Sequence, residues 1–259
     1  MNKVGICSIT FRNLSCEQLI EEVKKVGLDA IEWGSDVHVL PNDIERAREV
    51  GDLTRAAGLE VSSYGSYYRV GIENEFSFEE VLASAVALGA KHIRVWAGRL
   101  GSLDVNQDYF EAVVLDSKRI AKLAKEKGIV VSYEYHGKTL TDTVESALRL
   151  LEEVNSSNMQ LYWQPAVGLK IDERIANIKA VEKYLTNVHV FNWQQIKRLP
   201  LKEGKDEWLR YLKEIDLSTN PIEPRYFLLE FVKEDSLKQF YEDAKALIDI
   251  IKTSKKQKE

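Results

Sequence analysis

Apolar and polar positions along this chain follow two alternating periods. Leu19, Ile20 and Val23 fall on one stripe, as do Val144, Ala147, Leu148, Leu151 and Val154. Both spacings are close to 3.6 residues and predict amphipathic helices over 16–26 and 142–154. Between the helical stretches lie short apolar runs that read as strands. Four times the helix ends at a glycine and the run follows: Gly27 before 29–33, Gly58 before 60–64, Gly89 before 92–96 and Gly128 before 130–134. Glycine suits the left-handed conformation that closes a helix before the chain turns. Helix starts are marked too. Ser15 with Gln18, Asn42 with Glu45, Ser77 with Glu80 and Asp142 with Glu145 have the spacing of a capping box.

Adding Val4–Ile9, Gln160–Gln164, Asn187–Asn192 and Arg225–Phe231 brings the predicted strands to eight. Short apolar strands alternating with helices imply parallel βαβ units. Eight of them in 259 residues predict one α/β domain, a (β/α)8 TIM barrel spanning 1–259. An open doubly wound sheet is the alternative, but no GxGxxG follows the first strand. One connection, Leu199–Pro224, is long for a compact domain; it carries Pro200, Pro221 and Pro224 and a short helical piece at Asp206–Glu214.

Composition narrows the function classes. The formal net charge of −5 disfavours nucleic acid and anionic membranes, both of which are polyanions. No run approaches the ~20 apolar residues needed to span a bilayer. Cys7 and Cys16 are the only cysteines; with no paired framework or CxxC, two reduced thiols are expected. The opening residues are too short an apolar run for a signal peptide, so a cytoplasmic protein is expected. The lysine-rich end, Lys252–Glu259, is expected to fray.

In a β/α barrel the chemistry sits where strands end. Here Glu32 ends the second strand, Glu134 the fifth, Gln164 the sixth and Glu230 the eighth, while His189 lies in the seventh with Asn192 just beyond. Alternation puts Glu134 and His136 on one side of their strand. If Glu134, His189 and Glu230 all face inward, they converge. Two unpaired buried carboxylates are costly, and a divalent cation relieves that cost. A Glu, Gln, His, Glu set suits Mn²⁺, Mg²⁺ or Zn²⁺. Arg94 on the fourth strand is the competing partner for such a carboxylate. His92, at the start of that strand, reads as structural, whereas His38, in a loop at the catalytic end, reads as a substrate contact and His136 as a substrate contact or a support for a neighbouring ligand. Tyr64, Tyr67, Tyr68, Trp96, Trp163 and Trp193 lie in or after strand ends, where rings can stack on the apolar faces of a sugar. Arg69 and Arg99 could meet an anionic group, although no phosphate-loop motif accompanies them.

The order of these motifs resembles the xylose isomerase-like barrels, the family of sugar isomerases and epimerases that also includes endonuclease IV-type repair enzymes. The resemblance covers nearly the whole chain. It rests on Gly27-Leu28-Asp29-Ala30-Ile31-Glu32-Trp33, on Glu134-Tyr135-His136 followed by Thr139-Leu140-Thr141, on Val188-His189-Val190 and on Leu229-Glu230-Phe231. It implies one divalent metal held by Glu134, Gln164, His189 and Glu230. Gln164 stands where the family has an aspartate, so the site has one negative charge fewer, and weaker metal binding or a different substrate ligation is expected. Phe191-Asn192-Trp193 replaces the Lys-Asp pair that often follows the histidine. In epimerases of the family the two metal-bound glutamates also exchange the substrate proton, which here implies Glu134 and Glu230 as the catalytic pair. Glu32, His38, Tyr64, Trp96, His136 and Trp193 are the expected substrate contacts.

The function expected is therefore a metal-dependent isomerase or epimerase of a small sugar or sugar derivative, passing through an enediolate. A dehydratase or lyase on the same scaffold begins with the same proton abstraction. A carbohydrate-binding barrel without catalysis is the alternative from another class, motivated by Gln164. A repair endonuclease ranks low, because its three metals need more His and Asp ligands than this chain places. Barrels of this family often associate, so a homo-oligomer is compatible with the sequence.

Overall fold

Eight parallel strands close on themselves in the computed structural model, which describes residues 2–216, 220 and 224–256. The strands are β1 (Asn2–Cys7), β2 (Ala30–Gly34), β3 (Glu60–Arg69), β4 (His92–Trp96), β5 (Val130–Glu134), β6 (Met159–Trp163), β7 (Leu185–Val190) and β8 (Arg225–Leu229), and β8 returns to pair with β1. The helices around them are α1 (Cys16–Val26), α2 (Ile44–Ala56), α3 (Phe78–Leu88), α4 (Gln107–Glu126), α5 (Val144–Val154), α6 (Ile171–Val181), α7 (Lys205–Ile215) and α8 (Leu237–Lys256). This is the predicted (β/α)8 barrel. Its main core lies between the strands and the helical ring. Leu19, Ile20 and Val23 of α1 and Ala147, Leu151 and Val154 of α5 are buried there. No helix among the described residues is long and apolar enough to cross a membrane.

The local punctuation is mostly as read. Ser15 and Ser77 each form a reciprocal capping box, and Gly27 and Gly89 close α1 and α3 with φ of 74° and 79°. Two caps differ. Asn42 has φ of 69° and its backbone N–H donates to Ser84 Oγ, so Asp43 caps α2 instead, accepting from Arg46 N at 3.1 Å. Thr143 rather than Asp142 caps α5, because the Asp142 carboxylate accepts from Ser102 N in the loop after β4.

Strand ends also shift. β1 stops at Cys7, and Ser8–Phe11 forms a 3-10 turn whose Ser8 hydroxyl accepts from Gly34 N at 2.8 Å. β6, β7 and β8 end at Trp163, Val190 and Leu229. Gln164, Asn192 and Glu230 therefore sit in the first residues beyond the strands. The long connection contains a 3-10 turn (Leu201–Gly204) and, where the short helical piece was expected, α7, the seventh helix of the ring; a two-stranded hairpin (Trp193–Gln194 with Lys197–Arg198) precedes it. Of its prolines, Pro221 lies outside the described residues. Lys252–Lys256 does not fray: α8 runs through it, with Ser254 buried and its Oγ donating to Asp216 Oδ2 at 3.2 Å.

His92 occupies the structural position expected, buried at the N-terminal end of β4, with its Nδ1 lacking a hydrogen-bond partner among the described residues. Burial pushes its pKa down from 6.5 to about 4. Protons therefore bind the unfolded chain better between these values. Stability carried by neutral His92 is complete above pH ~6.5 and is lost as pH falls toward about 4, by about 3 kcal/mol in all. Urea denaturation at pH 7 and pH 4.5 should show a smaller acid loss for His92→Gln than for the wild type. Equal losses would refute the assignment.

Candidate active site

Closure of the barrel fixes which side chains meet. The strand register aligns Cys7 with Glu32, Glu32 with Ser63, Gly65 with Arg94, and Leu228 with His189. Residues from six strands thus reach one buried polar cluster at the C-terminal end of the barrel. His189, fully buried, is its centre.

One edge of the His189 ring faces three oxygens. Nδ1 lies 3.1 Å from Gln164 Oε1, 3.6 Å from Glu134 Oε1 and 3.6 Å from Glu230 Oε2. Ligand atoms of Glu134, His189 and Glu230 all lie within 4.8 Å of one another. Glu134, His189 and Glu230 converge as expected, and Gln164 adjoins them. Several electron-rich atoms facing one point require a positive charge among them, either a proton or a cation. The donor set, two carboxylates and an imidazole with an amide oxygen adjoining, is compatible with a divalent metal ion.

The opposite edge of the ring faces Glu32. Nε2 lies 3.4 Å from Glu32 Oε1, a charge contact without hydrogen-bond geometry, and makes no hydrogen bond among the described residues. Glu32 Oε2 accepts from Ser63 Oγ at 2.7 Å. A carboxylate behind a metal-binding histidine orients the ring. Cys7 Sγ also lies on this side, within 4.8 Å of ligand atoms of Glu32 and His189. Burial pushes its thiol well above the ordinary range.

Arg94 runs between the carboxylates. Its Nη1 is 3.0 Å from Glu134 Oε2 and its Nη2 is 3.7 Å from Glu32 Oε1, with all three side chains almost wholly buried. Trp96 Nε1 donates to the same Glu134 Oε2 at 2.5 Å. The two glutamates facing His189 therefore differ in environment. Burial raises the Glu134 carboxyl, but Arg94 and His189 outweigh it and hold the group below the ordinary range. For Glu230 burial dominates and the Glu134 charge adds to it, so its pKa is raised. His189 is raised well above its ordinary value: burial opposes the charged ring, and Cys7, Glu230 and Glu134 overcome that opposition.

Above the cluster opens a cavity of about 460 Å³. Glu134, Gln164, Glu230 and Arg94 form part of its lining, and aromatic rings form much of the wall. The expected contacts Trp96, His136 and Trp193 line it. His136 stacks on Trp96 with centroids 4.9 Å apart, and Trp193 packs on Phe191 at 4.7 Å. Three expected contacts do not line it. Glu32 lies beneath, held by Ser63, Arg94 and His189. His38 is buried behind β2, with Nε2 3.2 Å from Leu14 O and its ring 5.6 Å from that of Trp33. Tyr64 points into the layer between barrel and helices and donates to Val39 O at 2.7 Å. Strand alternation is the reason for Tyr64: its neighbours Ser63 and Gly65 take the inward positions. Conversely, Arg12, Ile9 and Phe231 line the cavity without having been singled out. Phe231 follows Glu230 directly, but nothing in the local pattern marks the other two.

A sequence profile of the family described as xylose isomerase-like TIM barrel matches residues 20–227. The chain belongs to the xylose isomerase-like TIM barrel family. Among curated proteins, a 3-dehydroshikimate dehydratase of Bacillus anthracis is 27% identical over 168 residues, 61% of this chain and 60% of that enzyme. The chain thus spans less than two thirds of that relative's length. Among solved structures of this fold, the probable 3-DHS dehydratase of Bacillus anthracis superposes with a TM-score of 0.78 at 19% identity, over 96% of this chain and 99% of the other. The 3-keto-D-glucoside 4-epimerase of E. coli superposes with a TM-score of 0.72 at 16% identity, over 96% and 99%. A dehydratase thus stands among the sequence relatives of this xylose isomerase-like barrel, and an epimerase among the proteins that share its fold.

Proposed function

We propose that this xylose isomerase-like barrel is a metal-dependent enzyme that removes a proton beside the carbonyl of a sugar or related polyhydroxylated molecule and returns it as an isomerase or epimerase. The convergence of Glu134 and Glu230 on His189 Nδ1, beneath an aromatic cavity of about 460 Å³, carries this reading. Glu134, His189 and Glu230, with the Gln164 amide oxygen, would hold one Mn²⁺, Mg²⁺ or Zn²⁺ ion. When bound, that ion supplies Lewis-acid polarisation of the substrate carbonyl and stabilisation of the enediolate. The protein's own groups do the rest. Glu134, kept ionised by Arg94, offers Oε1, while Glu230 is the carboxyl more ready to carry a proton. Two carboxyl groups pushed apart in this way suit opposite roles in acid–base catalysis. Trp96, His136 and Trp193 present ring faces and a few polar atoms to the substrate.

The relationship to a 3-dehydroshikimate dehydratase favours a second reading, in which the same abstraction is followed by loss of a hydroxyl from the adjacent carbon. The two share their first step and differ in product. Metal content of the purified protein comes first, with about one ion per chain expected and its loss expected in Glu134→Ala. Screening ketoses, aldoses and cyclic polyol ketones in D₂O by NMR then separates the readings. Deuterium at the carbon beside the carbonyl with the formula otherwise kept supports the isomerase or epimerase. An unsaturated product supports the dehydratase. Absence of metal, exchange and product across the panel would leave a binding protein.

A further inference from the structure

The guanidinium of Arg94 has no counterpart in the metal-ligand set, yet it occupies the same buried cluster. It is 3% exposed, and its two terminal nitrogens are divided between Glu134 Oε2 at 3.0 Å and Glu32 Oε1 at 3.7 Å. Nη1 also donates to Ser66 O at 3.3 Å, and Nε has no partner among the described residues. The backbone leaves room for this pair. At Gly65 a Cβ would come within 2.8 Å of Glu32 Oε1 and 3.1 Å of Arg94 Nη2. A side chain there would force these carboxylate and guanidinium atoms to shift.

We propose that Arg94 is a resident cation that sets how tightly this site takes a divalent ion, with Glu32 as the counterweight that keeps the site usable. The proposal rests on the reading of Glu134, His189 and Glu230 as the ligands. Three effects of Arg94 act in one direction. Its charge repels a second cation placed a few ångströms away, and in a buried site that repulsion is screened little. Together with the Trp96 indole it holds Glu134 Oε2, so Glu134 offers only Oε1 and two-oxygen chelation by this carboxylate is closed. It also stabilises the ion-free cluster, in which three carboxylates surround the one His189 ring. Glu32 acts the other way. Its charge offsets Arg94, and it faces Nε2 of His189 at 3.4 Å. With His189 neutral, the three glutamates and Arg94 leave two negative charges, the charge that one divalent ion neutralises. Gln164 contributes to the same balance, because an aspartate there would add a third.

Opposite effects of two substitutions test this. Ion-free full-length protein is titrated with Mn²⁺ alone, and free Mn²⁺ is followed by electron paramagnetic resonance. Arg94→Gln, which keeps donors and removes the charge, should tighten Mn²⁺ binding by about tenfold or more, whereas Glu32→Gln should weaken it by about tenfold. Arg94→Lys, which keeps the charge, should stay near the wild type. A role in packing alone would move Arg94→Gln and Glu32→Gln in the same direction, so that result, or unchanged affinity in both, overturns the proposal. Should Arg94→Gln fail to fold, weakening in Glu32→Gln with wild-type affinity in Arg94→Lys supports it, and unchanged affinity in Glu32→Gln overturns it. Binding by Arg94→Gln alone also supports it. If the wild type and every folded variant all fail to bind, the metal reading itself is wrong and the proposal falls with it. If the wild type binds and the shifts are absent, only the proposal falls.

Discussion

Replacing Glu230 by glutamine is expected to lower turnover by about 10³-fold while leaving the fold intact. Glu230 sits just past β8, lines the cavity and has its Oε2 3.6 Å from His189 Nδ1. Glutamine keeps its size and one oxygen but cannot accept or carry the transferred proton. Because burial and the Glu134 charge already disfavour the Glu230 carboxylate, removing that charge should leave thermal stability unchanged or slightly raised. The check is deuterium exchange into the substrate found in the screen, measured beside a melting curve. Exchange at the wild-type rate in a folded Glu230→Gln protein would remove Glu230 from the mechanism.

Replacing His189 by alanine is expected to act on the fold as well as on the chemistry. The ring faces Glu32 on one edge and Glu134, Glu230 and Gln164 on the other. Without it, two carboxylates lose their shared positive partner in an interior that water scarcely reaches. Removing one member of a buried ionic cluster typically costs about 3–5 kcal/mol. Urea denaturation at pH 7 in the presence of a chelator should show a loss of that order, together with loss of stoichiometric metal binding. A His189→Ala protein as stable as the wild type would mean that the glutamates carry protons in the native state, and the charge balance argued for this site would be wrong.

Asn42 and Asp142 show where local reading of helix starts failed. Both have capping-box spacing, yet Ser84 in one case and Ser102 in the other compete for their polar groups across the chain. His38 and Tyr64 failed for a related reason. His38, in the loop after β2, could turn toward the cavity or back toward the helices, and neighbours distant in sequence decide which; Tyr64 lies within β3, where alternation points it outward. The Leu14 and Val39 carbonyls took these two side chains.

Glu134, Gln164, His189 and Glu230 were legible because a β/α repeat forces its chemistry to strand ends, and charge stands out there against apolar strands. The same repeat, counted along the chain, determined the eight strands and the closed barrel. The sequence offered Arg94 as a partner for a strand-end carboxylate, but not which carboxylates it would meet. Its meeting with Glu32 depends on the registers of β2, β3 and β4, on a glycine at position 65 and on closure of the ring. Periodicity reports which face of its own element a residue occupies, because that follows from backbone geometry within a few residues. Which charges neutralise one another across the barrel is decided by packing between segments tens of residues apart, and no local pattern carries that information.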